Sequence, residues 1–292
     1  MLELAIDGLY VTDGEGRLLA ANAVFAGMLG ISQSALLKLR ISDWNGEWGA
    51  REISRELEKN LSLAPGGTRL FETLHKRNDG SLFPVEVSVR RIDSSEGPCL
   101  VHFVRDITLR REALGNLKRL SHYAAIRSEI TLRAFTAQSV HEFMDALCKI
   151  CTDEAREILL AFICRPDESG LFEFVASAGR TGFLEGSRIL VDPSQPQGQG
   201  PTGICFREGR AAFNTPLSDV TWEAPWKDRA LLTGLRSIST LPIFLEGRVW
   251  GVLSIGHGEP RPIDPPLARL LEEIARTVSR GIERIDFGLG KQ

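Results

Sequence analysis

The chain has 292 residues, 43% hydrophobic and 25% charged, with 35 Lys and Arg against 38 Asp and Glu. That is a globular composition with apolar mass for about two domains, and its near-balanced charge speaks against a nucleic-acid surface, which needs clustered cations to neutralise phosphates. No apolar run reaches the roughly eighteen residues of a membrane span and no basic-then-apolar leader opens the chain, so the expectation is a cytoplasmic protein with no membrane partner; five irregularly spaced cysteines fit a reducing compartment.

In chain order, a turn at Asp13-Gly14-Glu15-Gly16 separates strands over 9–11 and 17–21. Asn22 stands where a helix cap is needed, and Val24, Phe25, Met28 and Leu29 share one side of a short helix closed by Gly30. A helical turn or two over 32–39 follows. An amphipathic helix over 50–61 carries Ile53, Leu57 and Leu61 at helical spacing before Pro65-Gly66-Gly67 ends it. Strands over 68–76 and 82–92 flank Asn78-Asp79-Gly80, and Phe83, Val85, Val87 and Val89 alternate with Pro84, Glu86, Ser88 and Arg90. A fifth strand runs over 99–104, where His102 shares a face with Leu100 and Val104.

The pattern then changes to a helix over 107–135, with Ile107, Leu114, Leu117, Leu120, Ala124, Ile126, Ile130 and Leu132 recurring at three-to-four-residue steps among charges. It is too long and too charged for a core helix and reads as a connecting, dimerising element. Arg105, Arg110 and Arg111, balanced by Asp106 and Glu112, read as a solvated face. Gly115 and Asn116 interrupt the stripe, which points to a dimer bundle with the later helices rather than a strict coiled coil.

Beyond it the sequence predicts an amphipathic helix over 140–158, strands over 159–164 and 171–176, and a long mobile loop over 192–200. A helix over 203–208, a strand over 211–214 and a helical region over 222–232 come next. A hairpin of 237–245 and 249–255 turns at Glu246-Gly247-Arg248, and a closing helix over 265–285 puts Leu267, Leu270, Leu271, Ile274, Val278 and Ile282 on one stripe.

The stretches DGLYVTDGEGRLLAANAVFAGMLGIS, HKRNDGSLFPVEVSV and FVRDIT resemble the first hairpin, the central hairpin and the closing triplet of PAS domains. The resemblance implies that Asp106 and Thr108 couple the sheet to the outgoing helix. GPTGICFREGRAAF, APWKDRALLTGLRSISTLPIFLEGRVWGVLSI and LARLLEEIARTVSRGIERI resemble the GAF modules of bacterial sensors that carry cyclic-di-GMP synthesising or degrading domains. The expected fold is therefore α+β with two domains, each a central antiparallel sheet flanked by helices: PAS over 1–108, a connecting signalling helix over 109–138, GAF over 139–287 and a tail over 288–292. No GGDEF-like, EAL-like or phosphoacceptor signature follows. The expectation is a sensory input module, a fragment or a stand-alone regulator, that dimerises and feeds an output domain of the GGDEF, EAL or kinase kind, with ligand and cofactor unknown.

For the first pocket the candidates are Phe25, Met28, Trp44, Trp48, Val87 and His102. Tryptophans four apart near the roof of such a pocket can stack on a planar ligand, or pack on their own core. Residues 23–67 contain no His, which disfavours haem there, and no cysteine precedes Cys99, which excludes the flavin–thiol photosensor. His75 and His102 read as satisfied, partly buried imidazoles ahead of ligands. For the second pocket the candidates are Cys164, Trp222, Trp226, Arg236 and Ser239. The bilin cysteine, its Asp-Ile-Pro signature and the Asn-Lys-Phe-Asp-Glu nucleotide signature of this family are missing. Cys148 and Cys151 fall on a helix without a second pair and read as small hydrophobes. Cys205 is placed at a helix start, where a thiolate is favoured, and with Cys164 it keeps open a minor reading as a thiol-dependent methionine sulfoxide reductase. Gly198, Gly200 and Gly203 lack the Lys-Ser/Thr of a phosphate loop, and His257, between two glycines, reads as a turn residue.

Overall fold

The structure is a computed structural model that describes residues 6–95, 97–153, 157–219, 225–260 and 263–289, with side chains at all of these except 219, 225, 226 and 287–289. It divides into two compact units, Met1–Asn116 and Leu117–Gln292.

The first unit runs β1 (Gly8–Thr12), β2 (Leu18–Ala21), α1 (Ala23–Leu29), α2 (Gln33–Leu36), α3 (Ile41–Trp44), α4 (Ala50–Leu61), β3 (Thr68–Lys76), β4 (Leu82–Ser94) and β5 (Gly97–Asp106). Its sheet is antiparallel throughout, in the order β2-β1-β5-β4-β3. Asn22 explains the turn from sheet to helix. Its Oδ1 accepts from the backbone N–H of both Phe25 and Leu9 at 2.9 Å, and its Nδ2 donates to the Asp7 carbonyl at 3.0 Å, so one amide caps α1 and ties it to β1. Along β4, Phe83, Val85, Val87 and Val89 are buried while their neighbours are not, because the helices cover one face only. Phe25, Leu29, Leu36 and Trp44 complete that core.

α5 (Thr108–Thr136) leaves the first unit, and its C-terminal half belongs to the second, with α6 (Val140–Cys151), β6 (Ile158–Pro166), β7 (Phe172–Gly179), α7 (Pro201–Glu208), β8 (Ala212–Pro216), α8 (Pro225–Leu232), β9 (Ser237–Leu245), β10 (Arg248–His257) and α9 (Pro265–Leu289). The sheet order is β7-β6-β10-β9-β8, again antiparallel. One face is covered by Tyr123, Ile126 and Ile130 of α5 together with α6 and α9; the other by α7, α8 and their loops. β9 is therefore buried without interruption from Ser237 to Ile243 rather than in alternation.

Three expectations change. The helix expected to reach residue 158 stops at Cys151, and Ile158 opens β6; an apolar residue seven positions on continues a helical stripe and starts a strand equally well, so spacing does not separate the two. The 192–200 stretch is a compact turn rather than an open loop. Asp192 accepts from the N–H and hydroxyl of Ser194, and Arg207 donates to the Val191 carbonyl at 2.8 Å and the Gly198 carbonyl at 2.7 Å. A Cβ on Gly198 would lie 1.9 Å from the Asp192 carbonyl oxygen, which only glycine avoids. Lastly, the part of α5 that packs with α6 and α9 does so within one chain, through Tyr123, Ile126, Ile130 and Ala134, whereas Leu114, Leu117 and Leu132 of the expected stripe are exposed.

α9 meets α5 and α6 closely at Gly281, where an added Cβ would fall 2.7 Å from the Phe143 ring of α6 and 2.9 Å from the Ala134 Cβ of α5. Gly281→Val should destabilise the second unit by about 1–3 kcal/mol through overpacking, read as a lower denaturation midpoint for that unit with the first unchanged; a midpoint equal to or above that of the parent would contradict this packing.

Candidate functional site

In the first unit a cavity of about 30 Å³ lies between the sheet and α4, with Tyr10, Trp48, Phe71, His75, Val87 and His102 among its walls. Tyr10 and His102 are register partners on β1 and β5, and their rings stack at 4.2 Å with 13° between planes. His102 Nε2 lies 3.2 Å from Thr12 Oγ1. His75 meets Phe25 and Phe83 edge-on at 6.1 and 5.9 Å. Burial pushes both imidazoles down to about 3, with His75 adding to the effect on His102, so both are neutral at physiological pH. Burial likewise pushes the Tyr10 phenol up. The Nδ1 atoms of His75 and His102 are buried with no partner in hydrogen-bonding geometry.

Of the six residues expected here, Trp48, Val87 and His102 line the cavity. Phe25, Met28 and Trp44 do not. Phe25 and Trp44 form an aromatic layer beside it, with Trp44 edge-on to Tyr10 at 5.3 Å and to Phe25 at 5.5 Å, because α1 and α3 turn these side chains into the core. Met28 is partly buried against Gly8. Sequence reasoning missed Tyr10, Phe71 and the cavity role of His75. The inward parity of Tyr10 with Thr12 on β1 was the available signal. His75 is buried as expected but not satisfied.

Asp106 ends β5 and caps α5. Its Oδ1 accepts from the Thr108 N–H at 2.9 Å and the Thr108 hydroxyl at 2.5 Å, and its Oδ2 from Arg77 Nη2 at 3.0 Å. Burial pushes its carboxyl up, but the bonds from Thr108 and Arg77 outweigh that and hold it below the usual carboxylate range. Arg77, which sequence reasoning passed over in HKRNDGS, also donates to the Met28 carbonyl and lies 3.8 Å from the Phe83 ring centroid. One guanidinium thus joins the end of α1, the segment just after β3 and the start of α5. The arginines read as a solvated face are each paired: Arg105 with Asp7, Arg110 with Glu86 and Arg111 with Glu72.

In the second unit a cavity of about 30 Å³ lies under α7 and α8, walled by Phe162, Phe183, Leu217, Leu235 and Ile238, with Ser187, Thr202 and Ser237 at its margin; among the described residues no charged side chain lines it. The arginines nearby turn outward onto loop carbonyls. Arg229 donates to Glu185 O and to Ser187 Oγ, Arg180 to Thr233 O, and Arg236 to Leu231 O and Leu235 O, both at 2.9 Å. Arg236 is therefore exposed and not a wall residue. Ser239 lies on the other face of β9, with Leu241 and Ile243, and its Oγ accepts from the Asn214 N–H at 2.9 Å. Cys164 is buried beside the cavity in the same cluster as Phe162. Trp222 and the Trp226 side chain lie outside the described residues.

Cys205 is the fifth residue of α7, not its first, and burial pushes its thiol up to about 12 despite a bond with Thr240; burial pushes Cys164 up as well. A thiolate is disfavoured at both. His257 ends β10 instead of making a turn, and burial pushes it down to about 4. Cys148 and Cys151 are buried in the helical core. Among the described residues no group of three or more His, Cys, Asp or Glu is placed to hold a metal ion, and no helix is long and apolar enough to cross a membrane.

The neutral histidines make stability acid-sensitive. Unfolded imidazoles take up a proton near pH 6.5 while His75 and His102 in the folded unit do not until about 3, so below about pH 6.5 the unfolded state binds more protons. The first unit should lose up to about 1.4 kcal/mol per pH unit per histidine on acidification. Denaturant titrations at pH 7.0, 6.0 and 5.0 should show that slope, reduced by about half in His75→Phe; a pH-independent first unit would contradict two buried neutral imidazoles.

A PAS domain model matches residues 6–109, and a GAF domain model matches residues 137–283. The crystal structure of the PAS domain of an HTR-like protein from Haloarcula marismortui is 27% identical, covering 36% of this chain and 85% of that one with a TM-score of 0.34. The free methionine-R-sulfoxide reductase of Neisseria meningitidis in complex with its substrate is 17% identical, over 57% of this chain and 91% of that one, with a TM-score of 0.47. The reduced fRMsr of Staphylococcus aureus is 15% identical, over 55% and 94%, with a TM-score of 0.42. With the two family models falling in turn on the two sheets, the chain belongs to the GAF family and carries a PAS domain ahead of its GAF domain.

Proposed function

We propose that this chain is a sensory and regulatory input module in which a small ligand shifts a domain's sheet and α5, as part of a homodimer, relays the shift to an output domain of the cyclic-di-GMP or two-component kind. PAS and GAF domains are sensory input modules. The observation that carries the reading to a mechanism is the Asp106 carboxylate. It holds Arg77, two residues along from the cavity-lining His75, with one oxygen and the first turn of α5 with the other. A change in the strand that bears His75 therefore reaches the helix start through two hydrogen-bonded steps, and Asp106 and Thr108 are the coupling residues. Trp48, Val87 and His102 serve as ligand contacts.

The homodimer draws support from the exposed apolar face of α5. Leu114 and Leu132, like Leu117 and Phe135, are eighteen residues apart, about five turns, so each pair shares an azimuth, and all four are exposed while Tyr123, Ile126 and Ile130 are buried. A competing class is a dimerisation scaffold without a ligand, favoured by the small size of both cavities, each with room for about two waters. The methionine sulfoxide reductase reading has little to draw on, since burial raises both candidate thiols.

Native mass spectrometry and thermal shift across a metabolite panel test sensing: a retained small molecule or a shifted midpoint is expected, and a silent panel for both domains favours the scaffold. Arg77→Ala, costing about 1–2 kcal/mol after solvent screening, should leave the ligand-induced shift in place while removing the ligand's effect on hydrogen exchange in the first turn of α5. Persistence of that effect would exclude the Arg77–Asp106 route. Sedimentation at tens of micromolar should give a dimer that Leu117→Glu weakens at least tenfold; a monomeric parent chain rules the dimer out.

A further inference from the structure

Two irregularities in the GAF sheet meet at one pocket. In β8 the register on β9 shifts between Ala212 and Thr215, and Asn214 there takes the left-handed conformation at φ 49°, its N–H donating to Ser239 Oγ at 2.9 Å. In β10 the register on β6 shifts between Gly256 and His257. Shifts of this kind re-aim side chains, and asparagine is among the few residues that accept the left-handed region. Asn214 and His257 both line a pocket of about 250 Å³, against about 30 Å³ for either cavity described above. Arg119 and Tyr123, one turn apart on α5, form a second wall, and Glu157 and Glu259 complete its polar lining. Among the described residues it shares no lining residue with the cavity under α7 and α8.

The walls carry both signs of charge. Among the described residues they hold one guanidinium, Arg119, and two carboxylates, Glu157 and Glu259. A lone anion drawn to Arg119 would meet two acids, and a lone cation drawn to the acids would meet the guanidinium. A molecule with a cationic and an anionic end answers both. The other polar walls are uncharged. Burial pushes the His257 imidazole down to about 4, with Arg119 adding to the effect, and burial pushes the Tyr123 phenol up. His257 Nε2 is itself buried, so that nitrogen takes no part in binding. Arg119, Glu157, Asn214 and Glu259 each have an interaction within the protein. A guanidinium has several N–H groups and a carboxylate several lone-pair sites, which leaves capacity for a ligand beside such a partner. Leu159 and Ile263 add apolar wall.

We infer that this pocket takes a small zwitterion of the α-amino acid class with an apolar side chain, its carboxylate on Arg119, its ammonium between Glu157 and Glu259, and its side chain against Leu159 and Ile263. This goes beyond the sensing proposed for the PAS cavity and gives the GAF domain a ligand that bears directly on α5.

The test uses the full chain, 13C-labelled at tyrosine and titrated at pH 7 with L-leucine, isoamylamine and isocaproate, which share a side chain and keep both charges, the ammonium alone or the carboxylate alone. The chain has two tyrosines, Tyr10 in the PAS domain and Tyr123 in this pocket, so the signals separate the domains, and Tyr10→Phe assigns them. A ligand of this size binds in about the millimolar range or tighter. Leucine should move the Tyr123 signal saturably and leave Tyr10 in place, with isoamylamine and isocaproate at least tenfold weaker. Isocaproate binding as tightly as leucine overturns the proposal in favour of an anion site; isoamylamine binding as tightly overturns it in favour of a cation site. A Tyr123 signal that none of the three moves, or movement of Tyr10 in its place, also overturns it, while the sensory reading is judged separately by the metabolite panel. Arg119→Met and the double variant Glu157→Gln, Glu259→Gln remove the charges at similar volume, and each should weaken leucine at least tenfold; unchanged affinity in either sinks the assignment. Should a variant not fold, the three-ligand titration of the unaltered chain decides.

Discussion

A carboxylate that accepts from a hydroxyl, a backbone N–H and a guanidinium at once has little freedom left, and Asp106 is in that position. Its place in the chain gives the constraint its reach. As the last residue of β5 it is fixed by pairing with β4, and as the group that caps α5 it decides where the helix begins. The Arg77 guanidinium cannot let go of it cheaply, because the same group lies on Phe83 and holds the Met28 carbonyl. Sheet, first helix and connecting helix are thus referred to one point, and the cavity two residues from Arg77 sits on the same frame.

The two domains handle charge around their cavities in different ways. The PAS cavity is lined by two histidines that burial keeps neutral, and Glu56 on its wall is paired with Lys59 and Arg69. The GAF cavity has apolar walls, and its arginines face outward onto backbone carbonyls. An uncharged polar group would be tolerated in the first arrangement; the second would exclude anything that must keep its water.

Local signals in the sequence were enough for the architecture. Asn22 before an apolar stripe, Asn78-Asp79-Gly80 between alternating runs and Glu246-Gly247 between two apolar ones each act over a few residues, and each holds in the structure. What depends on three dimensions was less legible. Ile158 fits a helix and a strand, and α6 ends before it at Cys151, with Thr152 as its C-cap. Ser239 lies within a strand buried on both faces and Arg236 just before it, and that burial erases the alternation that would have shown which way each points. Arg77 looked like one more surface charge beside a turn, because a charge that reaches back across forty-nine residues to the Met28 carbonyl leaves no periodic trace. His75 and His102 were legible as buried but not as unsatisfied, since satisfaction is a property of neighbours.

The arginine contacts at the start of α5 and those of the loops over the GAF cavity differ in their response to ionic strength. At the junction of the PAS sheet with α5, Arg77, Arg105, Arg110 and Arg111 each pair with a carboxylate, and their side chains are a third to two-thirds exposed. Mobile ions compete with such pairs, and the competition grows as the Debye length shrinks to about 8 Å at physiological salt. In the GAF domain, Arg180, Arg207 and Arg236 end on neutral carbonyls, and Arg229 on a carbonyl and a hydroxyl, where there is no opposing charge to screen. Rising ionic strength therefore weakens the contacts that hold the PAS sheet to α5 before it loosens the loops over the GAF cavity, so a relay of the kind proposed above would vary with the salt content of the surroundings while the shape of the GAF cavity would not.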